Sequence, residues 1–102
     1  MEYLFTYGTL QDDEVQFNLF KRELEGDEET LKGFLLLKNK VYGRYPTISR
    51  TNSTMDIVKG TVYKVTPLEL KNVDVYEGEG YERRKVVLTS GKTAWAYMER
   101  LD

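Results

Sequence analysis

Cysteine and histidine are both absent from this 102-residue chain, and the two absences narrow its chemistry before any motif is read. Without cysteine there is no disulfide and no thiolate, so a secreted fold stapled by bridges is excluded and a reducing, cytoplasmic setting is the expectation. Without histidine there is no Ser–His or Cys–His pair and no ordinary zinc site. Any acid–base work must fall to Asp, Glu, Lys or Tyr. An excess of charge of one sign is also lacking. The 15 basic and 17 acidic residues leave a net charge of -2, which gives no electrostatic footprint for nucleic acid. No apolar run approaches the roughly 18 residues that a membrane span needs. The opening Met1-Glu2-Tyr3-Leu4-Phe5 has neither a basic n-region nor a cleavage site and reads as a first strand. Neither nucleic acid nor membrane is therefore expected as a partner.

What is present is a chain without linker, repeat or low-complexity tract, so one domain over residues 1–102 is expected. Glu2–Tyr7 is rich in aromatic and branched residues and stops at Gly8, the pattern of a strand. Asp12 or Asp13 can cap a helix running to about Leu24, with Val15, Leu19 and Phe20 on its apolar face and Phe17 and Leu24 flanking it. Glu25–Glu29 reads as a solvated loop. Leu31–Leu37 reads as a strand with Gly33 at a bulge or close approach, Lys38–Arg44 as a turn, and Tyr45–Arg50 as extended chain. Ile57–Val65 is a strand candidate. Thr66 and Glu69 have capping-box spacing around Pro67, which predicts a helix ending before Gly78. Glu82–Thr89 and Thr93–Met98 should form a hairpin through Ser90-Gly91-Lys92. Strands outnumber helices and the helices fall between them, so the class is α+β with a mixed, curled sheet.

Three segments can carry chemistry. At Tyr7-Gly8-Thr9-Leu10 a hydrophobic strand ends in glycine, and successive N–H groups leaving such a turn can cradle an anion or a developing oxyanion. The same residues also suit an ordinary strand-to-loop turn. In Asp74-Val75-Tyr76-Glu77-Gly78-Glu79-Gly80-Tyr81 a carboxylate sits at a helix end before glycines. Lowered into a pocket, Glu77 would rise toward neutrality and serve as a general base; left in water, it belongs to a flexible acidic loop. Tyr42-Gly43-Arg44-Tyr45-Pro46 is an aromatic loop suited to walling a pocket or to finishing a sheet edge.

Taken together, Leu4-Phe5-Thr6-Tyr7-Gly8-Thr9-Leu10, Tyr45-Pro46, Gly60-Thr61-Val62-Tyr63, Asp74-Val75-Tyr76-Glu77-Gly78 and Tyr81-Glu82-Arg83 resemble the γ-glutamylcyclotransferase-like family, which includes the γ-glutamylamine cyclotransferases and the AIG2-like proteins. The resemblance implies a small mixed β-barrel of about five to seven strands, flanked by two helices. It also implies an enzyme that cyclises a γ-glutamyl amine or amide to 5-oxoproline and releases the amine. Glu77 would be the catalytic acid–base, and Tyr7, Gly8, Thr9 and Leu10 would hold the glutamyl end, with Tyr45 and Tyr81 also at the substrate. Such a reaction needs no metal and no cofactor, because the substrate's own α-amine is the nucleophile. The expected partner is thus a small γ-glutamyl compound, and the expected state a monomer or weak dimer. Where the family often places a basic residue soon after the Tyr-Gly-Thr-Leu motif, this chain has Gln11-Asp12-Asp13, acids that would disfavour a carboxylate near that rim. The alternative is a binding module that holds a small acidic metabolite in the same cavity without turnover.

Overall fold

The computed structural model describes residues 1–101. Seven strands and two helices follow in the order β1 (Glu2–Thr6), α1 (Asp13–Phe20), β2 (Gly26–Lys32), β3 (Phe34–Val41), β4 (Tyr45–Arg50), β5 (Ile57–Val65), α2 (Pro67–Glu77), β6 (Tyr81–Val87) and β7 (Thr93–Glu99), with a 3-10 turn at Thr9–Gln11. Five strands form one sheet in the order β2-β5-β1-β7-β6, while β3 and β4 form a separate two-stranded sheet. All pairings are antiparallel except β1 with β7, which run parallel with Leu4 opposite Trp95. The α+β architecture expected from the sequence is therefore present. The barrel is incomplete: β2 and β6 end the larger sheet without pairing as strands, although just past β6 the Thr89 N–H donates to the Thr30 carbonyl of β2 at 2.9 Å, and the β3–β4 hairpin covers one face without joining the ladder.

The period of two along β1 explains why the sheet carries a core on each side. Phe5 points to one face, where Leu31, Val58 and Val62 meet Phe34 and Ile48 of the hairpin. Leu4 points to the other, where Tyr63, Val65 and Tyr97 meet Phe20 of α1 and Leu70 and Val73 of α2. Both Leu4 and Phe5 are 1% exposed. Burying side chains of this size contributes about 2 kcal/mol each, so β1, buried on both faces, anchors the fold. Gly60 of β5 is required by this packing, since a Cβ there would lie 2.2 Å from the Thr6 carbonyl oxygen and 2.8 Å from the Phe5 ring.

Several boundaries differ from the sequence expectation. Of the loop expected over Glu25–Glu29 only Glu25 remains one: Gly26 onward is β2, paired with β5 from Gly26–Tyr63 to Lys32–Ile57. Backbone pairing at a sheet edge does not require apolar side chains, and acidic residues on an edge strand discourage pairing with other chains. The single strand expected over Leu31–Leu37 is two, with the turn at Gly33 separating β2 from β3. Strand β3 continues to Val41 past a register shift after Leu37, so the turn is confined to Tyr42–Arg44. Helix α1 stops at Phe20, where Lys21 adopts a left-handed conformation (φ 59°) and caps it. Its buried side includes Gln16, whose amide donates to the Leu10 carbonyl at 2.7 Å, whereas Phe17 is exposed.

Candidate active site

Strand β1 delivers Tyr7 to the end of the sheet. Its hydroxyl donates to the backbone carbonyl of Tyr97 in β7. Burial raises the Tyr7 phenol above its ordinary value, with neighbouring Tyr81 adding to the rise, so it stays neutral and keeps its proton for that bond. The chain then turns through Gly8, with the Gln11 N–H on the Gly8 carbonyl at 3.1 Å. Asp12 closes the turn by accepting from the N–H groups of Glu14 (2.9 Å) and Val15 (3.3 Å), which caps α1.

Opposite this turn lies the end of α2, and the sequence fixes both of its termini. Thr66 accepts from the Glu69 N–H at 3.1 Å, while Glu69 accepts from the Thr66 N–H at 2.8 Å, so the capping box is complete. Glu69 also pairs with Arg22 at 2.9 Å. At the other terminus Glu77 is the last helical residue, and Gly78 redirects the chain at φ 78°, ψ -169°. Side chains other than hydrogen scarcely enter that region. The last turn is pinned from the side by Asp74, which holds Arg83 of β6 at 2.8 Å and accepts from the Tyr97 hydroxyl.

These two ends enclose one cavity of about 360 Å³, within the range of small-molecule sites. The residues to which the resemblance gives a site role all line it: Tyr7, Gly8, Thr9 and Leu10 on one side, Glu77, Tyr81 and Tyr45 around the other. Tyr81 is buried and its hydroxyl donates to the Pro46 carbonyl; burial, with Glu77 nearby, pushes the phenol up to about 12. Tyr45 stands at the rim, partly in solvent. Burial pushes the Glu77 carboxyl up to about 7. No lysine or arginine lines the cavity among the described residues, so no cation opposes that rise. Glu77 can thus accept and return a proton near neutrality. Among the described residues no group of three His, Cys, Asp or Glu side chains is placed to hold a metal ion.

Among the described lining residues, Tyr97 lies outside the segments singled out from the sequence, while Tyr42 and Tyr76 fall within two of them without having been given a role of their own. Tyr42 packs across Gly80, where an added Cβ would lie 2.9 Å from its hydroxyl. The Tyr76 hydroxyl meets Thr9 Oγ1 at 3.1 Å across the cavity mouth. Tyr97 is signalled weakly by its strand. It alternates with Trp95 and Glu99 on the face opposite Ala94, Ala96 and Met98, and a buried tyrosine needs a partner for its hydroxyl.

Comparison with known proteins shows the family and the fold. The family described as "Gamma-glutamyl cyclotransferase, AIG2-like" matches residues 4–101. The chain belongs to that family. AIG2-like protein C of Arabidopsis thaliana is 38% identical over 86 residues, which cover 81% of this chain and 47% of the relative. The chain thus spans about half the length of that AIG2-like relative. Two solution structures of Arabidopsis thaliana proteins superpose with TM-scores of 0.83 and 0.81, at 28% and 32% identity. Each match covers 96% of this chain, and 61% and 68% of the respective structures. A structure titled gamma-glutamyl cyclotransferase shares the fold at a TM-score of 0.74 and 23% identity, over 97% of this chain and 66% of that one. No helix among the described residues is long and apolar enough to cross a membrane.

Proposed function

We propose that this member of the γ-glutamyl cyclotransferase, AIG2-like family cyclises a γ-glutamyl amine or amide to 5-oxoproline and releases the amine, with Glu77 as general acid–base. The observation that carries the reading is the Glu77 carboxyl, pushed up to about 7 by burial, in the same cavity as the Tyr7–Leu10 turn.

In this scheme the substrate is held folded, with its α-amino group against its own γ-carbonyl, so that ring closure is intramolecular. The Glu77 carboxylate takes a proton from the α-ammonium, and the freed lone pair attacks the γ-carbon. The carbonyl electron pair moves to oxygen, and the resulting oxyanion faces the N–H groups of the turn. Collapse of the intermediate re-forms the carbonyl and breaks the bond to the departing nitrogen. Glu77 passes protons from the attacking nitrogen to the departing one, so the carboxylate is regenerated. Tyr45 and Tyr81 wall the side on which the amine leaves.

The test is a panel of γ-glutamyl amines and amides read out by 5-oxoproline formation, with Glu77→Gln beside the wild type. The wild type is expected to turn over at least one compound. Glu77→Gln should lose on the order of 100-fold or more in kcat while retaining its circular dichroism spectrum. An active Glu77→Gln protein would remove Glu77 from the mechanism. Thermal stabilisation by 5-oxoproline, with no product formed from any compound, would favour the binding-module reading instead.

A further inference from the structure

The Gly8–Thr9 peptide sits on the wall of the cavity, and its orientation is fixed from outside by one side chain. The Gly8 carbonyl accepts from the Gln11 backbone N–H at 3.1 Å and from Gln11 Nε2 at 3.3 Å. The other end of the same amide is held as well, because the Thr61 hydroxyl on β5 donates to Gln11 Oε1 at 3.0 Å. Thr61 is itself tied to β1, its carbonyl accepting from the Thr6 hydroxyl at 3.2 Å. The Gly8 carbonyl decides which way the amide faces: it can only accept, so Nε2 must face it, and the Thr61 hydroxyl, able to donate or accept, then donates to Oε1. The reverse orientation would set two carbonyl oxygens against each other.

A trans peptide carries its C=O and N–H on opposite sides of one plane. Turning the Gly8 carbonyl into the turn therefore aims the Thr9 N–H the other way. Neither the Thr9 nor the Leu10 N–H has an acceptor among the described residues, and both residues line the cavity. We propose that Gln11 is a positioning residue: bridged between Thr61 and the Gly8 carbonyl, it locks the Gly8–Thr9 peptide so that the Thr9 N–H is presented to the bound substrate. The cyclotransferase reading supplies only what that N–H meets, the glutamyl group; the locking itself is a property of the free protein. Gln11 reaches no reacting atom and acts through the peptide.

Two substitutions in the full chain test this. Gln11→Glu keeps the shape and the bond from Thr61 but sets an acceptor against the Gly8 carbonyl. Thr61→Val keeps the shape on β5 and leaves the Oε1 end of the amide unheld. In the ligand-free proteins, the Gly8 carbonyl-carbon and Thr9 amide resonances should shift in both variants, with the larger shift in Gln11→Glu. Both side-chain bonds are solvent-exposed, so the melting temperatures should stay close to wild type. 5-Oxoproline formation should fall roughly 10-fold in kcat/KM, short of the roughly 100-fold that outright loss of an oxyanion donor costs. Unmoved Gly8 and Thr9 resonances in Gln11→Glu would overturn the proposal. So would a shifted loop with unchanged kcat/KM in an active enzyme, or a lowered melting temperature as the only effect. A wild type that makes no 5-oxoproline would defeat the functional reading alone, since the resonances of the ligand-free loop still decide whether Gln11 locks it.

Discussion

The Tyr7 hydroxyl donates to the backbone carbonyl of Tyr97, 90 residues further along the chain, and so ties the turn on one side of the cavity to strand β7. The hydroxyl of the same Tyr97 donates to Asp74, one helical turn before Glu77. A single residue, through its backbone carbonyl and its hydroxyl, therefore links the turn that carries the backbone donors to the helix that carries the carboxylate.

Removing the first of these bonds should be felt in both stability and activity. Tyr7→Phe loses one part-buried hydrogen bond, a cost of about 1 kcal/mol, which for a domain of this size lowers the melting temperature by about 4–8 °C. The freed ring no longer fixes the turn, so kcat/KM should fall as well. A variant that melts with the wild type would show that the bond contributes nothing.

The acid limb of the pH–rate profile should report Glu77. With burial pushing the carboxyl up to about 7, the proton-accepting form predominates only above that value. In wild-type protein kcat/KM should therefore rise tenfold per unit below pH 7 and level off above it. An inflection near the ordinary glutamate value would mean that the carboxylate is hydrated.

The same burial makes Glu77 a cost to folding at high pH, with a sign opposite to that of a salt-bridged acid. The folded carboxyl titrates near 7 and its unfolded reference is 4.5, so between those values the folded state holds more proton. Stability falls as pH rises through that window. Glu77→Gln removes this term. Its melting temperature should exceed that of wild type at pH 8, by an amount corresponding to at most roughly 3 kcal/mol, and the difference should vanish near pH 4. Parallel melting curves at both pH values would contradict a buried carboxylate.

Gly78→Ala should separate the position of the carboxyl from its mere presence. The φ 78°, ψ -169° geometry at Gly78 costs a residue with a Cβ about 1–3 kcal/mol, and relief of that strain would rotate the end of α2. Gly91, at φ 91° in the β6–β7 turn and away from the cavity, is the control. Both alanine variants should melt earlier, but only Gly78→Ala should lose kcat/KM.

Legibility from the sequence followed the range of the forces involved. Helix α2 was readable at both ends because its capping box, Pro67 and Gly78 act within a few residues. That Glu77 and the Tyr7–Leu10 turn share a cavity was legible only through the resemblance of the motifs, taken together, to a known family, since neither segment's local geometry announces a partner so far along the chain. Strand β2 was not, since Asp27, Glu28 and Glu29 carry no apolar alternation and only pairing with β5 makes them extended. The partners of Asp74 were hidden for a related reason. Arg83 and Tyr97 reach it only once β6 and β7 are paired, with Arg83 opposite Tyr97, and nothing near residue 74 announces that register.

The parallel contact between β1 and β7 has a consequence for biosynthesis. Of the seven strands, the one earliest in the chain lies in the middle of the sheet, and one of its two neighbours is the latest of them. On the ribosome, β1 can pair with β5 while its other edge stays open. The nascent sheet then waits, with the β7 side of β1 unpaired, until Thr93–Glu99 has cleared the exit tunnel. A chain stalled before that point displays one open edge of its central strand, the kind of exposed template that chaperones bind and that aggregates grow from.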